Sequence, residues 1–310
     1  TAETIATNDY DIIFVHSSSA PYNNNPAGTI PPATVLPNTD MFTFQESNQY
    51  LIGEGSPQTI PTRECGDLVV SSTVNPALYP TIIPSATDTG IFIPSTRTGE
   101  TISGFNIMAS TGTGIQSASS TGRNNFNNLM ITDGTNGIHI RDGGGASYVI
   151  NGDVAFNNQS GIGLLNNGLG EISLTNVSFT DISGSAIETD RGIMKADSIT
   201  ISGSGADGIR LVSLTDDPRV ELTSSTISDS GGSGILSRSN GTVAITNSQI
   251  TGSGVAGIRT IPIASGTITA SQLEIDGTLA SGATPTSTGI VMGGSTEVTA
   301  ENLNITNAQI

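Results

Sequence analysis

Nine times along the chain a small residue precedes an isoleucine and a fresh apolar–polar alternation begins. The pairs are Gly90-Ile91, Gly114-Ile115, Gly137-Ile138, Gly161-Ile162, Ala186-Ile187, Gly208-Ile209, Gly234-Ile235, Gly257-Ile258 and Gly289-Ile290. Successive isoleucines lie 24, 23, 24, 25, 22, 26, 23 and 32 residues apart. Self-similarity at such a period marks a solenoid, whose repeats bury their apolar faces against one another. The alternation within each repeat is that of strands, and no window carries helical periodicity.

Each repeat reads as three short strands. The first follows the small-Ile pair, as in Gly208-Ile209-Arg210-Leu211. The second carries an apolar pair such as Ile172 and Leu174, or Val220 and Leu222. The third ends on a large apolar residue: Ile107, Ile131, Phe156, Phe179, Ile201, Ile227, Ile250, Ile275 and Ile305. Two residues before that end, seven of nine residues are apolar, with Ser225 and Ser248 the exceptions. Three residues before it stand Gly104, Asn128, Asp153, Asn176, Ser198, Ser224, Asn247, Gln272 and Asn302. Such residues tolerate left-handed backbone and bond nearby main chain, so this column predicts a bend between the second and third strands, with a ladder of stacked amides. Three strands per ~24-residue coil, spaced about 4.8 Å from the next coil, describe a parallel β-helix. The bias of parallel connections makes it right-handed. The predicted fold class is therefore all-β, a right-handed parallel β-helix solenoid.

The first stretch of chain is different. Eleven of the 14 prolines fall at or before Pro94. Residues 1–85 read as an irregular N-terminal cap with distorted first coils, and residues 86–310 as the regular β-helix. Strand candidates in the cap run from Asp11 to His16, Met41 to Phe44 and Gln49 to Ile52. Two repeats are stretched, one by Thr215-Asp216-Asp217-Pro218-Arg219 and one by Gly277 to Thr286, and both read as loops bulging from a coil. The last repeat shows no evident cap at Ile310. Strand edges left open there are expected to pair with further chain or with a second copy.

Composition narrows the function classes. Tryptophan is absent and aromatic residues are 4% of the chain, so the core must come from stacked Ile, Val and Leu. The net charge is −17, with 27 acidic residues against 10 basic ones, and Lys195 is the only lysine. A nucleic-acid partner or insertion into an anionic membrane is not expected of such a chain. No apolar run approaches the ~20 residues of a membrane helix. Cys65 is alone, which rules out an internal disulfide and fits an exported protein without proving export. There is no signal-peptide pattern at Thr1. Carboxylates leave room for Ca²⁺, but they fit a solvated acidic surface better, and no other cofactor is expected.

The repeat resembles the parallel β-helix repeats shared by pectate lyases, polygalacturonases, tailspikes and bacterial surface proteins, over about residues 90–310. Upstream, Asp11-Ile12-Ile13-Phe14-Val15-His16-Ser17, Tyr50-Leu51-Ile52-Gly53-Glu54-Gly55 and Thr101-Ile102-Ser103-Gly104-Phe105-Asn106-Ile107 look like the start of β-helix passengers. Such passengers occur in inverse-autotransporter-like surface proteins of planctomycetes and related bacteria. That resemblance implies a cell-surface or secreted protein.

Chemistry on such a rod must sit on outward residues of neighbouring coils. The outward column after the Gly-Ile pair reads Phe92, Gln116, His139, Gly163, Glu188, Arg210, Leu236, Arg259 and Val291. Glu188, Asp190 and Arg210 are the best catalytic candidates, because two nearby acids can act as general acid and base in glycoside hydrolysis. His139, Arg191, Asp216 and Asp217 are candidate binding residues. The plainer reading makes Glu188 and Arg210 a cross-strand ion pair worth little, and His139 an ordinary surface histidine. Polygalacturonase-like enzymes resemble one another in Asn-Thr-Asp, Asp-Asp, Gly-His-Gly and Arg-Ile-Lys motifs. Here Asp216-Asp217 is the lone Asp-Asp pair, and neither histidine lies between glycines. Arginines scattered over an acidic chain make a weak groove for an acidic polymer. The expectation is a non-enzymatic surface module, structural or adhesive, whose partners are host or cell-surface glycans or its own copies stacked end to end. The rival is a carbohydrate-active enzyme, a lyase or glycoside hydrolase.

Overall fold

The computed structural model describes residues 12–15, 22–23, 42–44, 47–53, 58–62, 66–71, 74–84, 89–109, 111–141, 144–213, 216–261, 266–277, 288–293 and 296–307. His16, Cys65, Asp142, Thr215 and the stretch 278–287 lie outside these residues, so most of the long loop predicted after Gly277 goes undescribed.

Two large sheets, of ten and eighteen strands, contain only parallel pairs among the described residues. The ten-stranded sheet holds the first strand of every coil, from Phe42–Thr43 and Ile91–Ile93 to Thr288–Val291. The eighteen-stranded sheet holds the second and third strands, which meet at a corner. In the coil at 147–166, for example, Ser147–Asn151 turns into Val154–Asn157 and leads to Ile162–Asn166. Described residues contain no α-helix, only a 3₁₀ turn at Pro76–Leu78 capped by the Asn75 side chain.

The corner is built as the sequence predicts. All nine residues of the polar column have positive φ, from 48° at Asn247 to 76° at Gly104. Asn, Asp, Ser and Gly enter that region at low cost, whereas a β-branched residue does not. In the predicted amide ladder, Asn247 Nδ2 donates to Ser224 Oγ at 3.3 Å, a bond between neighbouring coils. A second left-handed column escaped the sequence reading. It lies two residues past the third strand, at Asp133, Asn158, Asp181, Gly203, Asp229, Gly252 and Asn307, with φ from 49° to 74°. The Asp/Asn/Gly alternation there was its visible signal. Asn158 Nδ2 donates to Asp133 Oδ1 at 2.7 Å across two coils of this column.

The core is a set of stacked columns. In the coil at 193–211, Met194, Ala196, Ile199, Ile201, Ile209 and Leu211 are each no more than 2% exposed. Full burial of each large aliphatic side chain stabilises by about 1.5–3 kcal/mol, so a coil without aromatic bulk still has a core. Phe156 and Phe179 stack face to face with ring centres 4.6 Å apart. Ser225 and Ser248, the two polar exceptions in an apolar column, are buried as well. Their hydroxyls donate to Thr223 O and Thr246 O and accept from the backbone N–H of Ile199 and Ser225. A satisfied hydroxyl can replace a methyl group at that corner at little cost.

The recurrent glycine is a packing requirement. A Cβ on Gly234 would stand 2.3 Å from Ile250 Cγ2 and 2.8 Å from Gly257 O, closer than packed atoms approach. The first strand here passes directly against the apolar end of the third.

One repeat departs from the predicted register. Leu164, not Ile162, pairs with Ile138 on one side and Ile187 on the other. Gly163 therefore takes the tight glycine position, where a Cβ would meet Phe179 Cδ1 at 2.7 Å, and Leu165 replaces Gly163 in the outward column. The reason is turn length. The small residue stands seven positions past the third-strand end in the neighbouring repeat, Phe179 to Ala186, and Phe156 to Gly163 keeps that length.

The N-terminal segment joins the same stack. Phe42 pairs with Ile91, Tyr50 with Thr101 and Thr81 with Asn106, so residues 42–83 form a further coil. The antiparallel hairpin Gln58–Thr62/Gly66–Ser71 interrupts it. Ile12–Val15 and Tyr22–Asn23 pair onto that coil in turn.

Candidate functional site

The outer face of the ten-stranded sheet carries the candidate chemistry in two neighbouring columns. The first reads His139, Leu165, Glu188, Arg210, Leu236 and Arg259, each paired directly with the next coil. The second lies two residues further on, at Arg141, Asn167, Asp190, Val212, Arg238 and Ile261. Its backbone N–H groups continue the ladder onto the coil before.

Glu188 and Arg210 occupy one register position on adjacent strands, and Arg210 Nη1 lies 3.5 Å from Glu188 Oε2. Both are half-buried, with side chains 19% and 29% exposed. Burial pushes the Glu188 carboxyl above the usual carboxylate range. Arg210 opposes that shift, and the charges of Asp190 and Asp207 add to it. Asp207, buried beside the strand, accepts from the backbone N–H of Ser233 at 2.8 Å.

The remaining candidates do not join this pair. His139 stands two coils away behind Leu165, and its Nε2 lies 3.0 Å from Asn167 Oδ1. Burial holds its imidazole below the usual value, so it is neutral at physiological pH. Arg191 Nε meets Asp216 Oδ2 at 3.1 Å in the turn beyond the sheet. Asp216 also takes up Ser213: its N–H donates to Ser213 Oγ at 3.1 Å. Asp217 is exposed in the same turn, next to the buried Pro218. The geometry thus yields two separate clusters, Glu188/Asp190/Arg210 and Arg191/Asp216.

The sequence reading missed two groups. Glu100 is fully buried at the edge of the second strand, beneath the N-terminal coil. Its Oε2 accepts from Gln49 N at 2.9 Å, and burial pushes its carboxyl up to about 8. Its position in the register, one coil before Asn124 and two before Tyr148, was the available signal. The other is an inward polar column at the end of the first strand. Asn166 Nδ2 donates to Thr189 Oγ1 at 3.0 Å and to Arg191 O at 2.8 Å, tying down the turn that carries Asp190 and Arg191.

Among the described residues no three side chains of His, Cys, Asp or Glu come together as a metal-binding group. No described helix is long and apolar enough to cross a membrane.

No curated protein matches the chain. Among solved structures it is similar to the GH136 lacto-N-biosidase from Eubacterium ramulus (selenomethionine derivative), with a TM-score of 0.34 and 8% identity. That alignment covers 84% of this chain and 62% of the other, less than two thirds of its length. Residues 89–261, more than half of the chain, match the family model described as "Right handed beta helix region", and the chain belongs to that family.

Proposed function

We propose that the chain is a non-enzymatic structural or adhesive module of a cell surface or extracellular space, working through the outer faces of its coils. The observation that carries this reading is the state of its best acid cluster. Glu188 lies on the open face of a sheet, paired with the Arg210 guanidinium one coil away. That contact offers a substrate no free acid–base pair. The rod repeats one backbone geometry over its whole described length, which suits presentation of a surface over distance. End-to-end stacking of copies belongs to the same proposal.

A second reading, a carbohydrate-active enzyme, is favoured by one feature. Glu188 has a carboxyl raised by burial, as a general acid requires, with Asp190 two residues along. Incubation of the purified chain with acidic and neutral polysaccharides, followed by reducing-end and unsaturated-product assays, separates the two. The surface reading predicts no turnover. Turnover that disappears in Glu188→Gln establishes the enzyme reading instead.

A further inference from the structure

Arginine is not scattered on this protein. Three of the nine arginines, Arg210, Arg238 and Arg259, fall on three consecutive coils of one sheet face. Arg210 pairs in register with Leu236, and Leu236 with Arg259. Arg238 stands two residues beyond Leu236 on the middle coil, in the adjacent outward column. Coils are about 4.8 Å apart, so the three arginine positions flank Leu236 within about 10 Å along the rod. Arg238 and Arg259 are exposed, and neither makes a salt bridge among the described residues. Arg210 keeps Glu188 on one side, while its Nε is buried without a hydrogen-bond partner.

In a chain of net charge −17 this placement is the reverse of dispersal. The carboxylates beside it are Glu188, 3.5 Å from Arg210 Nη1, Asp190 two residues further along the chain, and the buried Asp207, which accepts from Ser233 N. Like charges set this close repel one another, and a bound anion removes that cost. Glu188 offsets Arg210, so the positive charge of the face comes chiefly from Arg238 and Arg259, while acids beyond a Debye length of about 8 Å are screened at physiological salt. Around the arginines the face is aliphatic: Leu236, Val212 and Ile261.

We infer that this face, Arg210, Arg238 and Arg259 around Leu236, binds an anionic glycan, a polysaccharide bearing carboxylate or sulfate groups, lying along the solenoid axis. Arginine forks match both anions with paired hydrogen bonds. A pyranose is about as long as one coil is thick, so successive acidic sugars meet successive coils. Their C–H faces rest on the aliphatic side chains between the guanidiniums. Nucleic acid fits less well, because the triad offers no aromatic platform for its bases. The inference deepens the adhesive reading and rests on it for the absence of cleavage.

The test uses affinity electrophoresis of the whole chain through gels containing polygalacturonate, chondroitin sulfate or neutral dextran, with single-stranded DNA as a fourth probe. The expected result is retardation by the two acidic glycans, relieved by added salt, and none by dextran. Arg238→Gln/Arg259→Gln is expected to weaken binding by about tenfold or more, equivalent to at least about 1.4 kcal/mol. Arg123→Gln, on a different face, is expected to change nothing. Both triad residues altered are exposed, and melting curves check that the variants fold. No retardation by either acidic glycan overturns the proposal, as does equal loss in Arg123→Gln. Tighter binding of DNA than of glycan assigns the face to another ligand and also overturns it. Shortening of the glycan during the run sinks the non-enzymatic reading alone and leaves the location of binding to the arginine variants.

Discussion

Single residues on this rod are chosen by backbone geometry as often as by burial. Asn176 sits at φ 55° on the corner between two strands. Asn176→Gly is expected to leave the melting temperature nearly unchanged, while Asn176→Val is expected to cost about 1–2 kcal/mol, read by urea unfolding. Equal effects of the two would remove backbone conformation as the reason for that column. Glu100 poses the opposite problem, a carboxyl that geometry buries against solvation. Its folded-state value of about 8 lies above the ordinary one, so the folded protein holds its proton more tightly than the unfolded chain. The stability it contributes is complete below the ordinary carboxylate range and is lost as pH rises toward 8. Glu100→Gln keeps an acceptor for Gln49 N and cannot ionise. Melting temperatures of the two proteins are expected to converge near pH 5 and to diverge by pH 8, the variant being the more stable by on the order of a few kcal/mol. A wild-type melting temperature that does not fall over this range, relative to the variant, contradicts the assignment.

At the scale of elements, the fold is a negotiation between strand register and turn length. The small residue before the first strand, glycine in most coils, leaves room for the apolar residue that ends the third. Gly234→Ala places a methyl group against Ile250 and is expected to cost about 1–3 kcal/mol, measured by chemical unfolding. A neutral result would mean that the first strand shifts freely, against the tight parallel register seen here. The same rule explains the one repeat misread from sequence. Gly161-Ile162 and Gly163-Leu164 both satisfy the small–apolar signal, and strand alternation cannot separate registers that differ by two residues. Only the seven-residue turn after Phe156 chooses between them. That choice sets Leu165, rather than Gly163, between His139 and Glu188 in the outward column.

At the scale of the whole molecule, coils are interchangeable neighbours. On the last described coil Ile305 is 43% exposed, whereas its counterpart one coil back, Ile275, is 1% exposed. In the proposed end-to-end assembly, a second copy stacking in the same parallel register would cover that column. Light scattering across a wide concentration range is expected to show mass rising with concentration, and a constant monomer mass would remove end-to-end assembly from the proposal. Charge is organised at this scale too. Arg210, Arg238 and Arg259 lie 28 and 21 residues apart in the sequence. Coiling at a period near 24 residues gathers them into one patch.

The sequence by itself determined the solenoid: its coil length, its three strands, its inward columns and its left-handed corner. Those features repeat, and stacking makes each repeat an independent reading of the same local rule. Outward residues escape that rule, since solvent accepts any polar side chain at any register. What they do depends on which coil lies beside which, to within one residue. The pairing of Glu188 with Arg210 was legible from the outward column, whereas the tertiary structure alone decided that Asp216 meets Arg191, that Glu100 is enclosed beneath the N-terminal coil, and that Arg238 stands beside Leu236 between Arg210 and Arg259. Each brings together residues at least 21 positions apart, set by turn lengths that hydrophobic periodicity does not record.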